Sequence, residues 1–257
     1  MADTRVAIVT GASSGMGVAI ARALARTGMR VGVGARRIDR LAEVVSAIGD
    51  DGGQAFAHPL DVSDVASVAA FFDAVEDRFG AVEVVVSNAG VCTPRLLHES
   101  DPADLAAQVA TNLLGPMYAA HRAIPGMRAR GAGDLTFITS EAARLPRPFQ
   151  AAYSAAKAGV EVLAKTLALE LEGTGVRVSA IRMGPTATEF GSGWDGPTVE
   201  RILAAWKRFG LQRHMSFLAP EVIADAVVNA VTAPPGATVA WVELQPTAPI
   251  GSETEGR

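Results

Sequence analysis

Short apolar runs alternate with longer amphipathic stretches along almost the whole chain. A short run bounded by turn residues is typical of a buried strand, and a longer stretch with apolar residues at every third or fourth position is typical of a helix. The predicted strands are Arg5–Thr10, Arg30–Ala35, Gln54–His58, Val82–Ser87, Leu135–Thr139, Val176–Ile181 and Thr238–Leu244. Because helical stretches separate these strands, we predict an α/β fold: a doubly wound parallel sheet of about seven strands with helices on both faces.

The composition fits one globular unit, and we predict a single domain over residues 1–257. Hydrophobic residues make up 49% of the chain and charged residues 19%, and no stretch is long and apolar enough to span a bilayer. The net charge of -4 argues against nucleic acid as the main partner. A single cysteine, Cys92, fits a reducing cytoplasm, and the four histidines share no spacing that indicates a metal site.

A glycine-rich loop, T-G-A-S-S-G-M-G, joins the first predicted strand to the first predicted helix. Glycines let the backbone turn tightly and approach a pyrophosphate, while the helix N-terminus offers unpaired amides. The alternative is a helix that merely starts after a turn, but the strand and helix on either side favour a dinucleotide site. The candidate residues in this loop are Gly11, Ser13, Ser14, Gly15, Met16 and Gly17.

The end of the second predicted strand indicates which dinucleotide is bound. NAD-binding folds place an acidic residue there for the adenosine ribose, whereas this chain has Ala35 followed by Arg36 and Arg37. Arginine offers paired donors to a 2′-phosphate, so the replacement favours NADP over NAD. The alternative is that both arginines are solvated charges before the next helix.

A second group of polar residues lies in the stretch that runs from Ser140 to Lys157. Tyr153 and Lys157 are four residues apart in a predicted helix, which places their Cβ atoms roughly 5–6 Å apart on one face. A neighbouring cation favours the phenolate and lowers the pKa of a tyrosine from about 10. Ser140 ends the fifth predicted strand, at the sheet edge where open α/β folds bind ligands. Taken alone, Tyr-x-x-x-Lys is also compatible with ordinary helix surface.

Together these motifs resemble those of the short-chain dehydrogenase/reductase family, and the resemblance runs from about Arg5 to Gln245. The resemblance implies that Tyr153 is the general acid/base, that Ser140 hydrogen-bonds the reacting oxygen, and that Lys157 lowers the tyrosine pKa and binds the nicotinamide ribose. It also implies that Asn112 holds a water in the proton relay.

The same resemblance implies further cofactor contacts. Beyond the glycine loop, the arginines, Tyr153 and Lys157, they are Asp61, Val62, Asn88, Gly90, Gly184, Thr186 and Thr188. The turn after Asp61 has a structural alternative, because Ser63 or Asp64 can cap the following helix. Met183 stands where the family usually has proline, which leaves the conformation of that loop open.

The resemblance and the motifs indicate an NADP-dependent oxidoreductase that transfers a hydride between the nicotinamide and a carbonyl or secondary alcohol of a small, apolar organic substrate. One alternative is a regulatory protein that binds NADP(H) without turnover. Another is a lyase or isomerase on the same scaffold, which would recycle its cofactor.

Two further expectations concern the second half of the chain. Within residues 189–216, an amphipathic pattern at helical spacing predicts a substrate lid, with a subunit interface as the alternative. By resemblance we also expect a homotetramer or homodimer. An apolar stripe could face a partner or the chain's own sheet, and it consists of Val160, Leu163, Leu167 and Leu171. A mobile tail is expected from about residue 249.

Overall fold

The computed structural model describes residues 4–211 and 214–248. Seven strands form one sheet, all of them parallel, in the order β3-β2-β1-β4-β5-β6-β7. They are β1 (Val6–Thr10), β2 (Arg30–Ala35), β3 (Gln54–Pro59), β4 (Val82–Ser87), β5 (Gly133–Ser140), β6 (Val176–Met183) and β7 (Trp241–Leu244). The doubly wound sheet predicted from the hydrophobic pattern is confirmed. The predicted mobile tail lies outside the described residues.

Eight α-helices connect or follow these strands in the described part of the chain. They are α1 (Gly15–Arg26), α2 (Ile38–Asp50), α3 (Val65–Phe79), α4 (Pro102–Val109), α5 (Gly115–Arg130), α6 (Ala151–Glu170), α7 (Gly196–Arg208) and α8 (Pro220–Val231). One core lies between the sheet and α3, α5 and α6, and a second lies between the other face and α1, α2 and α8. Helices therefore cover both faces, as predicted.

The helical stretch between β4 and β5 is interrupted. Asp101 caps α4 by accepting a hydrogen bond from the Ala103 amide, but residues 110–114 then form a π-helical turn before α5 begins. Such turns are rare in proteins, but many of those that occur lie at functional sites. This one contains Asn112, one of the predicted catalytic residues.

The apolar stripe on α6 faces the chain's own sheet. Val160 and Leu167 are buried in the core beneath the sheet, and Leu171 lies with them just beyond the helix. The exposed side of α6 instead carries Val162 and Leu169, whose side chains are 63% and 75% exposed. Of the two alternatives for the stripe, the chain's own sheet is therefore the one that covers these three residues, while Leu163 is partly buried against the same core.

The strand order places a crevice next to β1. From β1 the chain continues to β2 on one side, whereas β4 lies on the other side, so the loops after β1 and β4 diverge. Open α/β sheets bind ligands at such a point, beyond the carboxyl ends of the strands. The glycine loop follows β1, and Asn88 follows β4. Among the described residues, no helix is long and apolar enough to cross a membrane.

Candidate active site and cofactor cleft

A large cavity of about 660 Å³ lies along the carboxyl edge of the sheet. Every residue predicted to contact the cofactor lines it, from Gly11 in the first loop to Thr188 beyond β6. Ser140, Tyr153 and Lys157 line the same cavity. The structure therefore brings the two groups of sequence motifs, which are more than a hundred residues apart, to one place.

The glycine loop is fixed to the end of β4 by a short network. The Thr10 hydroxyl accepts hydrogen bonds from the amides of Asn88 and Ala89, at 3.0 and 3.1 Å. In return, the Asn88 side chain donates to the Thr10 carbonyl at 2.9 Å. These bonds fix the positions of the two diverging loops relative to each other, so the crevice between the loops has a defined width.

Three glycines make this close approach possible, each for its own reason. Gly11 has φ +68° and lies so near β4 that a Cβ would come within 2.7 Å of the Ala89 Cα atom. A Cβ on Gly17 would collide with the Gly11 carbonyl oxygen, so the helix start can pack on the loop only with glycine there. Gly15, with φ +53°, lies against Thr188, and this contact packs the glycine loop against the loop after β6.

The two arginines after β2 have different surroundings. Arg37 donates hydrogen bonds to the hydroxyls of Ser14 and Ser13, at 2.8 and 3.1 Å, and so extends the glycine loop with a positive charge. Glu189 lies 3.5 Å from Arg37 and accepts two hydrogen bonds from Arg40, at 2.8 and 2.9 Å. Arg36 is exposed at the mouth of the cavity. A cluster of three guanidinium groups with one carboxylate therefore borders the cleft.

The acidic turn after β3 both lines the cavity and caps the following helix. Asp61 lines the cavity and accepts hydrogen bonds from the hydroxyl and amide of Ser63, at 2.6 and 3.0 Å. These bonds hold the pKa of Asp61 below its usual value, and the Arg36 charge adds to the effect. Asp64 caps α3 by accepting from the Ala66 amide at 2.9 Å.

Ser140, Tyr153 and Lys157 meet beneath the cavity. Tyr153 is 7% exposed and Lys157 4% exposed, and the Ser140 hydroxyl is hydrogen-bonded to the tyrosine. The Lys157 Nζ atom lies 5.9 Å from the centre of the tyrosine ring and donates a hydrogen bond to the Ile138 carbonyl at 2.9 Å. β5 supplies the serine and α6 supplies the other two residues, so the sheet edge and one helix turn fix the group.

Burial determines the protonation of these groups. It raises the pKa of Tyr153 to about 12, although the hydrogen bond with Ser140 acts in the opposite direction. Burial also lowers the pKa of Lys157 to about 8. The lowered tyrosine pKa expected from the sequence is not produced by the protein residues alone, because desolvation of the phenolate outweighs the hydrogen bond with Ser140.

Asn112 lies directly behind the cavity wall. Its side chain is buried, accepts from the Val91 amide at 3.0 Å, and donates to the carbonyls of Val91 and Gln108, at 2.7 and 2.8 Å. A Cβ placed on Gly90 would lie 3.0 Å from the Asn112 oxygen and 3.7 Å from Lys157 Nζ. The π-helical turn thus holds a carboxamide next to Lys157, and its oxygen keeps a second lone pair.

The loop after β6 is well defined although Met183 replaces the usual proline. Met183 is the last residue of β6, and the following Gly184 amide donates to the Leu244 carbonyl at 2.8 Å. The Thr186 hydroxyl donates to the Gly184 carbonyl at 3.0 Å, and residue 186 forms a bridge with Leu218. β7 and the segment before α8 therefore hold this loop in the absence of the proline.

Aromatic side chains form the other wall of the cavity. The ring of Phe190 lies 5.6 Å from that of Tyr153 and 6.1 Å from that of Trp194, measured between ring centroids. Trp194 donates its indole N–H to the Cys92 carbonyl at 3.2 Å. Trp206, on α7, lies on the same wall. These rings come from the segment predicted as a lid.

A buried ion pair stands beside this wall. Arg147 contacts Glu141, and its guanidinium lies 4.4 Å from the centre of the Trp206 ring. It also donates to the Leu211 carbonyl at 3.2 Å. Sequence reasoning missed this pair, as it missed Gln150 and Glu189, although all four residues line the cavity. Their proximity to Ser140, Tyr153 or Thr188 in the chain was the available signal.

The arrangement matches a known family over most of its length. The family model described as short chain dehydrogenase matches residues 5–195. The chain belongs to the short-chain dehydrogenase family. Its sheet order, glycine loop and Ser140–Tyr153–Lys157 group are thus the framework of a short-chain dehydrogenase, as the resemblance of the motifs indicated.

Individual relatives of this short-chain dehydrogenase differ in length and in the compounds they are named for. A glycine betaine reductase of Emericella nidulans is 33% identical over 94% of this chain, but the chain spans 19% of the length of that protein. A cis-4-hydroxycyclohexanecarboxylate dehydrogenase of Sinomonas cyclohexanicum is 35% identical, with 87% of each chain covered. The crystal structure of an alcohol dehydrogenase from the archaeon Thermococcus sibiricus, complexed with 5-hydroxy-NADP, superposes with a TM-score of 0.81 at 32% identity, covering 94% and 96% of the two chains.

Proposed function

We propose that this protein is an NADP-dependent oxidoreductase that interconverts a carbonyl and a secondary alcohol on a small organic substrate. The observation that carries the proposal is that one cavity holds both a glycine cradle with adjacent arginines and a buried Ser–Tyr–Lys group. The first feature suits a phosphorylated dinucleotide, and the second suits proton transfer to or from an oxygen.

The residues of the cradle fit such a cofactor. A side chain at Gly17 would close the space between helix and loop, and the Asn88 Oδ1 atom is buried without a partner among the described residues. The groups that would hold the dinucleotide are the amides of the glycine loop, the side chains of Ser14, Arg36, Arg37, Asp61 and Lys157, and the hydroxyls of Thr186 and Thr188. When bound, the nicotinamide supplies or accepts the hydride.

The preference for NADP rests on charge. Ala35 removes the carboxylate that would repel a 2′-phosphate, and Arg37 already lies against Ser14 at the edge of the cradle. A phosphate there would gain charge-assisted hydrogen bonds from a planar guanidinium. The similar archaeal alcohol dehydrogenase, which was crystallised with an NADP derivative, supports the same choice.

The protein residues perform the proton chemistry. With a pKa of about 12, Tyr153 keeps its proton at neutral pH and can donate it to a carbonyl oxygen that becomes an alkoxide. The Ser140 hydroxyl stabilises the developing charge on the same oxygen, which is worth most in a site that excludes water. Lys157 lies beside Tyr153 and would return its proton, and Asn112 would hold a water in the same proton relay.

The test of this proposal is a screen of the purified protein with carbonyl compounds and secondary alcohols, following the absorbance of reduced nicotinamide. We expect oxidation of NADPH in proportion to the substrate converted, faster than with NADH. A lyase or isomerase would convert substrate with no net change in the cofactor. A regulatory protein would bind NADPH and convert nothing.

We also propose that residues 189–211, with 214–216 beyond, form a lid over the substrate. Phe190, Trp194 and Trp206 present their rings to the cavity, and Gly191 and Gly210 have positive φ at either end of the segment. Such a wall favours an apolar or ring-bearing substrate. Tryptophan emission and protease sensitivity of this segment should change when substrate joins the enzyme–NADP complex. Unchanged values would favour the subunit interface instead.

A homodimer or homotetramer is part of the proposal. The exposed apolar residues Val162 and Leu169 on α6 give a surface that association would cover. Light scattering at micromolar concentration should show a mass of two or four chains, and a monomer would contradict this.

A further inference from the structure

Gln150 is a buried amide at the wall of the cavity, one helical turn before Tyr153. Its side chain is 6% exposed, and among the described residues it has no hydrogen-bond partner. The Gln150 amide atoms are not among the buried polar atoms that lack a partner, so they reach solvent, and the large cavity is the open space that Gln150 lines. The cleft on the other side of Gln150 has no room for a water molecule. The hydrogen-bonding capacity of this residue therefore belongs to the large cavity.

The backbone around Gln150 is unusually constrained. Phe149 has φ +72°, and it is the only residue other than glycine with a positive φ in the described part of the chain. Its carbonyl accepts a hydrogen bond from the Arg95 amide at 3.0 Å, and the Gln150 carbonyl accepts from the Ser154 amide at 2.8 Å. A strained residue next to an unpartnered amide, both beside a predicted catalytic group, is typical of a binding site.

We infer that Gln150 is a substrate-binding residue, and that its amide binds a second oxygen on the substrate, close to the carbonyl or alcohol that reacts. This inference rests on the proposed function. Gln150 is the residue before α6 and precedes Tyr153 by three residues, so both side chains start from the same end of that helix, and both line the cavity. The substrate class is a ketone or secondary alcohol with an adjacent polar group.

The charges around the cavity indicate that this second group is neutral. Arg147 is the cation nearest to Gln150 along the chain, but it is engaged by Glu141, by the Leu211 carbonyl and by the face of Trp206. A carboxylate on the substrate would meet Glu141 without gaining a free guanidinium. A neutral ester, keto or hydroxyl oxygen needs only the donor that the Gln150 amide offers. A keto ester, a diketone or a hydroxy ketone fits this description.

The experiment compares two ketones of similar length, ethyl acetoacetate and 2-heptanone, of which only the first has a second oxygen near the ketone. Binding of each to the enzyme–NADP⁺ complex is measured by calorimetry, since oxidised cofactor and ketone do not react. Gln150→Met removes the amide at almost constant size, and Gln54→Met changes an exposed glutamine far from the cavity. We expect Gln150→Met to weaken the binding of ethyl acetoacetate about 10-fold and that of 2-heptanone less than 2-fold. Gln54→Met should affect the binding of neither ketone.

The ratio of the two dissociation constants is the decisive quantity. If it is the same in the wild type and in Gln150→Met, or if neither ketone binds the wild type, the assignment of Gln150 is wrong. NADPH oxidation with the two ketones is followed separately. If the enzyme turns over a ketone but the ratio of dissociation constants is unchanged in Gln150→Met, the proposed oxidoreductase activity stands and the role of Gln150 is wrong. If the ratio changes but no ketone is turned over, Gln150 binds the second oxygen and the proposed activity is wrong.

Discussion

The glycine loop and the segment that begins at Glu189 line the same cavity by different means. The first contributes mainly backbone: close contacts that only glycine permits at Gly11 and Gly17, and peptide groups bonded to the neighbouring loop. The second contributes side chains, with Phe190 45% exposed and Trp194 held by one hydrogen bond. The half of the cavity that binds the cofactor is therefore specified by positions that must lack a side chain. The half that faces the substrate is specified by the side chains that are present.

This difference determines what can change. A backbone cradle accepts few substitutions, because each alters the path of the chain. A wall of side chains can be altered one ring at a time without disturbing the fold. Within one family, we would expect the cradle to keep one class of ligand while the wall admits many, which agrees with the different compounds for which the relatives are named.

The largest effect should come from the residue where the two halves meet. Tyr153→Phe removes the proton donor but keeps the ring that packs against Phe190, so turnover should fall about 1000-fold while NADPH affinity stays within about 2-fold. Steady-state kinetics and a fluorescence titration with NADPH measure both. Tyr118→Phe, at the other tyrosine of the chain, is the matched control. Wild-type turnover in Tyr153→Phe would mean that another group transfers the proton.

A change confined to the cradle should affect the cofactor first. Gly17→Ala places a methyl group against the Gly11 carbonyl and should shift the loop. The affinity for NADPH should therefore fall on the order of 100-fold. Gly49→Ala, in α2, adds the same methyl group where nothing lies within 4 Å. Equal NADPH dissociation constants for the two variants would show that the cradle tolerates a side chain, and the contrast between the halves would be lost.

The arginines are the exception to a cofactor half made of backbone, and they should carry the choice between NADP and NAD. Arg37→Ala should weaken the binding of NADPH about 10-fold and that of NADH less than 2-fold, because only NADPH has a 2′-phosphate on its adenosine ribose for the guanidinium to bind. Arg36→Ala should act in the same direction. Arg22→Ala, which breaks a surface pair with Asp51, is the control. Equal losses for the two cofactors would make these arginines bystanders.

The smallest effect concerns stability. Because burial lowers the pKa of Lys157 to about 8, the folded protein pays a penalty for its charge, fully present below pH 8 and relieved as pH rises toward the unfolded value near 10.4. Lys157→Met should therefore melt a few degrees higher than the wild type at pH 7, and this difference should shrink between pH 8 and 10. Tyr153 stays protonated in this range and does not interfere.

The exposed Lys165→Met, on the same helix, should show no such pH dependence. A stability difference for Lys157→Met that stays constant from pH 7 to 10 would mean that Lys157 is not desolvated as its burial indicates.

The same contrast explains what could be predicted from the sequence. The sheet, the cradle and the Ser140–Tyr153–Lys157 group follow from short patterns in which each residue has a local reason, such as a turn, a helix start or a four-residue spacing. The Arg40–Glu189 pair and the Trp206 contact of Arg147 join residues far apart in the chain. Only the folded arrangement brings them together, so no local pattern could indicate them.

Two misses have a different origin. The positive φ of Phe149 violates the preference of a bulky residue, so propensity could only argue against it. Sequence periodicity finds the apolar face of α6 but cannot say whether the sheet or a partner covers it.

The π-helical turn at residues 110–114 has a consequence for how this chain tolerates changes in length. An α-helix advances by about 100° per residue, so a surplus residue sets the side chains before and after it out of phase. α4 and α5 can therefore face different neighbours although they form one continuous helical rod. Deleting a single residue there would turn one part of the rod against the other and draw Asn112 away from Val91, whereas many substitutions on its outer side would leave that geometry alone. In this stretch the number of residues is therefore constrained as well as the identity of Asn112.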